Sequence, residues 1–132
     1  MASLYAFLHP QKTSMEKDVV ISSRFLDEEG GIVPFKIRAL SQEETDRLTK
    51  QSTKTIKGKE NFDPLEFNRR VVVAGTVEPD FSDRELCAAY GVLDPLMVPG
   101  RMLLSGEFSA LLSAISSLSG FGEEDEDEEA KN

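Results

Sequence analysis

The 132-residue chain has one cysteine, one histidine and no tryptophan. A lone cysteine, Cys87, cannot form an intrachain disulfide or a cysteine-rich zinc site. Catalysis of the Ser-His-Asp or Cys-His type would have to use His9. That residue precedes Pro10 in an arm read as flexible, a poor place to hold a base within hydrogen-bond reach of a nucleophile. Cys87 lies beside Leu86, Ala88 and Ala89, the setting of a buried structural thiol. Long apolar runs are also missing. None exceeds five residues (4–8 and 86–90), and a spanning helix needs roughly 20, so no membrane segment is expected. The first eight residues lack the basic and long apolar regions of a secretory signal. A cytoplasmic protein is expected.

Bases are scarce: 15 Lys and Arg stand against 24 Asp and Glu, a net charge of −9. Seven consecutive acids, EEDEDEE, occupy positions 123–129. The residues before them carry 17 acids and 14 bases, so most of the net charge belongs to the tail. Nucleic-acid binding by bulk charge is disfavoured.

What remains divides into three parts: an N-terminal arm (1–17), a domain (18–121) and an acidic tail (122–132) that should be disordered. The arm carries LYAFL, five apolar residues in a polar stretch. They either pack back on the domain or dock on another chain.

Residues 18–40 read as a β-hairpin. Val19, Ile21 and Phe25 alternate, as do Val33, Phe35, Ile37 and Ala39, around a DEEGG turn. Pro34 predicts an edge strand or a bulge. Ser41 and Glu44 form a capping box that opens a helix with Leu48 and Ile56 as its apolar stripe. Residues 51–61 read as a basic loop without the glycine-rich turn of a phosphate site. Asp63, Pro64 and Glu66 open a second helix ending at Gly75, although Val71, Val72 and Val73 also fit a strand. Ser82 and Glu85 read as a further capping box, stapled by Phe81 and Leu86 and stopped at Gly91. Asp94-Pro95 starts a short turn that Pro99 ends. In the last helix Leu104, Phe108, Leu111, Ile115 and Leu118 share one face, Leu112 widens it and Gly120 ends it.

The predicted fold class is α+β: a small, mainly helical domain with an N-terminal hairpin. Carboxylates sit where helix caps need them, and the tail lacks the glycine and spacing of an EF-hand loop. A non-enzyme without metal or cofactor is the expectation. Candidate protein-binding residues, chosen by apolar pattern, are Leu4, Tyr5, Phe7 and Leu8 on the arm and Leu111, Leu112, Ile115 and Phe121 on and after the last helix.

The order FKIRAL, SQEETDRL, FDPLEFNRRVVVAGTVEPDF and ELCAAYGVLDPLMVPGRMLLSGEFSALLSAISSLSGF resembles the XkdN-like tail assembly chaperones of contractile-tailed phages and phage-derived elements of Gram-positive bacteria. VVVAGTVEPDF, ELCAAYGV and MLLSGE are its most specific pieces, and the likeness spans about residues 4–121. The resemblance implies a chaperone that binds the tape measure protein, keeps it soluble during tube assembly without ATP, and is absent from the finished virion. It further implies contact with tail tube subunits, self-association, and a longer product made by frameshifting. The alternative is a tail completion or tube-end subunit retained in the virion. A third reading takes the acidic tail as a nucleic-acid mimic.

Overall fold

The computed structural model describes residues 4–11 and 15–121; the expected acidic tail at 122–132 lies outside the described residues. In chain order the elements are α1 (Leu4–Leu8), β1 (Glu16–Val19), β2 (Phe35–Arg38), α2 (Gln42–Gln51), β3 (Thr53–Ile56), β4 (Lys59–Phe62), α3 (Pro64–Gly75), β5 (Thr76–Glu78), α4 (Arg84–Ala89), a 3-10 turn (Pro95–Met97), α5 (Val98–Met102) and α6 (Ser105–Leu118). The fold is α+β, as the sequence predicts.

β1 and β2 pair antiparallel with Val19 opposite Phe35 and Glu16 opposite Arg38. Alternation buries Phe35 and Ile37. Past β1 the chain leaves the ladder, then closes again through the Leu26–Ile32 bridge around the predicted turn. There the Asp27 carboxylate accepts from the Glu29 and Gly31 N–H groups, and Gly30 takes φ 87°. Of the two alternatives that Pro34 predicts, the edge strand needs correcting, while the strand does carry a register irregularity. The sheet order is β1-β2-β5, so β2 is central and not at an edge. Pro34 sits one residue before the ladder, where its missing N–H costs nothing, and the register shift falls between Lys36 and Ile37.

α2 starts at the predicted capping box: Ser41 Oγ accepts from the Glu44 N–H, and Glu44 accepts from the Ser41 N–H. The basic loop at 51–61 is instead a second hairpin. β3 and β4 pair with Thr53 opposite Phe62 and Ile56 opposite Lys59. Lys57 (φ 52°) and Gly58 (φ 78°) form its two-residue turn, both left-handed as a type I′ turn requires. Ile56 therefore belongs to an exposed strand and not to the stripe of α2. Alternation of buried residues cannot reveal a hairpin that buries almost nothing.

α3 is helical throughout, which settles the valine run in favour of helix. Asp63 caps it, but Glu66 does not complete a box. The Asp63 N–H is taken by the Ser52 carbonyl, and Glu66 instead pairs with Arg70 one turn on. α4 is capped by Asp83 and not Ser82, whose hydroxyl donates to Asp80. With the cap there, Phe81 and Leu86 fall out of staple register. α4 and α6 both end in Schellman turns. Gly91 (φ 69°) and Gly120 (φ 104°) let Val92 and Phe121 donate back to the Cys87 and Ser116 carbonyls. Pro99 opens α5 and is buried; it does not end a turn. Leu104 is the N-cap of α6 and exposed, off the helical face assigned to it.

α3 packs against α2, α5 and α6, and α6 also covers β2. The core so formed joins Phe35 and Ile37 to Val71, Val72, Phe81, Val98, Leu111 and Ile115. Burying each such side chain contributes about 1.5–3 kcal/mol. At Gly75 the absence of a side chain is what lets α3 approach α6: a Cβ there would lie 2.6 Å from Ile115 Cγ2.

Candidate protein-binding surface

The arm residues are where a partner could reach them. Leu4, Tyr5, Phe7 and Leu8 are 63–74% exposed on α1, which has no buried residue and no charged one. The His9 ring stacks on Tyr5 with centroids 4.2 Å apart. Its Nδ1–H donates to the Tyr5 carbonyl at 3.0 Å, as does its backbone N–H at 2.9 Å. The histidine closes this one-and-a-half-turn helix. Four large apolar side chains thus stand in solvent around one helical turn.

The last helix divides differently. Leu111 and Ile115 have no exposed surface, so they belong to the core and are not available for contact; this corrects the placement expected from their pattern. Leu112 is half-buried against the same core. Phe121 is 61% exposed, turned back by the Gly120 Schellman bond. It borders a hollow of about 60 Å³ with Leu40, Thr45, Phe67 and Ile115. Structure therefore keeps the arm and Phe121 on the surface and withdraws the middle of α6.

Pattern reading missed an apolar cleft of about 400 Å³ beside the first hairpin, between its ladder and its turn, lined by Phe25, Leu26, Val33, Pro34, Pro79 and Met102 among others. Leu26 and Val33 of its lining are 53% and 42% exposed, as is Ile32, the bridge partner of Leu26, at 50%. The available signal was apolar residues on both parities, at Phe25-Leu26 and Ile32-Val33, which one buried face cannot absorb.

Beside this cleft Arg24 ties the hairpin to the start of α6. Its Nε and Nη2 donate to the two Glu107 oxygens at 2.8 and 2.6 Å, and Nη2 also reaches the Met102 carbonyl at 3.1 Å. Glu107 also accepts from the Leu104 N–H. The hydrogen bonds from Arg24, first, hold its carboxyl down at about 2. A second clamp joins Arg38 to Glu44, whose carboxyl is held at about 2 chiefly by the Arg38 guanidinium and then by the Ser41 N–H. Both acids are occupied as struts.

The chemistry on offer elsewhere is sparse. The Cys87 thiol is buried and donates to the Phe81 carbonyl at 3.4 Å. Among the described residues, no group of three or more His, Cys, Asp or Glu could hold a metal ion, and no helix is long and apolar enough to cross a membrane.

A small α+β body that displays an apolar arm is the general class these features define. Comparison with known proteins makes the class specific. The model of the family described as phage XkdN-like tail assembly chaperone protein matches residues 4–131, and the chain belongs to that family. It is 36% identical to the phage-like element PBSX protein XkdN of Bacillus subtilis (strain 168), over 96% of this chain and 93% of that one. It is 38% identical to YqbN of the same organism, over 96% and 92% of the two chains. The crystal structure of YqbN superposes with a TM-score of 0.73 at 33% identity, covering 89% of this chain and 96% of that one.

Proposed function

We propose that this protein is a phage tail assembly chaperone that holds the tape measure protein in soluble form in the host cytoplasm while the tube is built. The observation that carries the reading is the exposed, uncharged apolar arm, joined to membership in a tail assembly chaperone family. A tape measure is a long helical chain with repeated apolar stripes, and its partners need apolar contacts on a soluble body. Leu4, Tyr5, Phe7, Leu8 and Phe121 are the contact residues of this proposal, on the client, on tube subunits or between copies. The mode of action is holding by binding, without ATP or catalysis, and release by a competing partner.

Co-expression with the tape measure protein of the same phage element, followed by pull-down and particle sizing, tests this. A soluble complex with several copies of this chain per tape measure is expected. An insoluble tape measure with this chain eluting alone would overturn it. So would stoichiometric recovery of this chain from purified particles, which is the behaviour of a retained tail completion subunit.

A further inference from the structure

The apolar cleft beside the first hairpin has a neighbour. Pro79, which lines it, also lines a second hollow of about 350 Å³ with Leu86 and Ala89 of α4. The two hollows therefore adjoin, with apolar side chains on both sides of the proline. Their rim is acidic. Glu78 borders the first hollow, and Asp80, Asp83 and Glu85 border the second. The turn that follows Leu26 adds Asp27, Glu28 and Glu29. All of these acids are exposed, and among the described residues no Lys or Arg lies within ion-pairing distance of any of them. The bases nearby are placed otherwise. Arg24 is held by Glu107, Arg101 donates to the Tyr90 carbonyl, and Arg84 lines a separate hollow with Val92 and Leu93. Lys36, in register between Asp18 and Glu78, offsets one of these two at most.

The walls exclude one way of binding. Pro34 and Pro79 have no N–H to give, β5 is three residues long, and its pairing carries the register shift. An incoming strand would find no regular row of backbone partners there. The groove is suited instead to side chains delivered at helical spacing.

We propose that the adjoining hollows are a docking groove for a basic amphipathic helix of a partner protein. Its apolar stripe enters beside Leu26, Val33 and Met102 and against Leu86, and its Lys or Arg flanks meet Glu28, Glu29, Asp80 and Glu85. Charge complementarity sets this choice, because a rim of unmatched acids repels an acidic helix and steers a basic one. The arm of a second copy carries no charge and would leave the rim unanswered. The groove shares no residue with the arm, and the proposal does not depend on the tape measure reading.

Amide NMR of the full chain with two synthetic helices tests it. One is built of Lys and Leu, with leucines at i, i+3, i+4 and i+7, and its twin has Glu for every Lys. At about 0.01 M salt, where the Debye length is about 30 Å, the Lys helix should move the resonances of residues 25–33 and 78–89, and the Glu helix none. Reversing the turn acids, Glu28→Lys with Glu29→Lys, should weaken that binding about tenfold. An equal reversal on α2, Glu43→Lys with Asp46→Lys, should change it less than about twofold. Leu26→Gln with Val33→Thr, which removes apolar lining, should weaken it about tenfold. The proposal fails if the Lys helix leaves the groove resonances unmoved, or moves only those of 122–132, where seven acids attract any cationic peptide. It fails if the Glu helix binds equally, or if reversing the turn acids changes nothing. It fails too if dilution of the chain alone moves the same resonances, since a second copy then fills the groove.

Discussion

The arm and α6 make an instructive pair. Both are apolar segments, and pattern alone offers both as contact surfaces, yet Phe7 is 74% exposed while Leu111 and Ile115 have no exposed surface. The difference is not composition. α6 has 14 residues, enough turns to lay a continuous stripe across β2 and α3. α1 has five, far below the roughly 12–15 at which an isolated helix becomes even marginal, and it buries none of them. An apolar run becomes core when other elements cover it, and becomes a docking surface when they do not.

Substitutions can break that contrast. Ile115→Ala should cost about 2–5 kcal/mol of unfolding free energy, because it empties space that α3 and α6 share. Chemical denaturation measures it, and a loss under about 1 kcal/mol would mean α6 is not the core helix. Gly75→Ala should cost about 1–3 kcal/mol through overpacking against Ile115. The same change in an Ile115→Ala background, which removes the Cγ2, Cγ1 and Cδ1 atoms in the way, should cost less, and equal costs would show that the two sites do not touch. Thr76→Val should raise stability by about 1 kcal/mol, since the Thr76 hydroxyl is buried without a hydrogen-bond partner.

The two clamps give a pH signature. Glu44 and Glu107 have carboxyls held at about 2, below their ordinary 4.5, so they bind fewer protons folded than unfolded. Their contribution is fully present above about pH 5 and is lost as pH falls towards 2. Glu44→Gln and Glu107→Gln should each lower the melting temperature at pH 7 and narrow the gap to the parent at pH 2. Parallel melting curves at the two pH values would remove the clamps from the account.

The smallest effect on folding belongs to the arm. Phe7→Ala should change stability by no more than about 0.5 kcal/mol, because the side chain touches no core. Deleting residues 1–10 should leave the melting temperature unmoved and weaken self-association or tape measure capture in sizing experiments. A destabilised deletion would show that the arm packs on the body after all.

Much of the fold was legible in sequence because its signals are local. The Ser41–Glu44 box, the Asp63-Pro64 start, and the glycines at 91 and 120 act through hydrogen bonds within a few residues. The first hairpin was visible because Phe35 and Ile37 alternate into a core. The second was not, because TKTI and KENF bury no apolar face and only the Lys57-Gly58 turn marks them. The cap of α4 was read one residue early because Ser82 and Asp83 are both competent caps, and Asp80 engages the first of them. For the candidate surface, the arm was readable as unusual, whereas α6 and the hairpin cleft were not sorted correctly into inside and outside.

The sequence by itself determined helix starts and stops, the period of each buried element, the excess of acid at one end and the acid-free basic stretch at 47–59. Only the tertiary structure decided that β2 is central, that Gly75 of α3 lies against Ile115 of α6, that Arg24 reaches Glu107, and that the arm stays uncovered. The reason is range. Caps and periods are set by neighbours in the chain, while burial depends on which distant element arrives to exclude water.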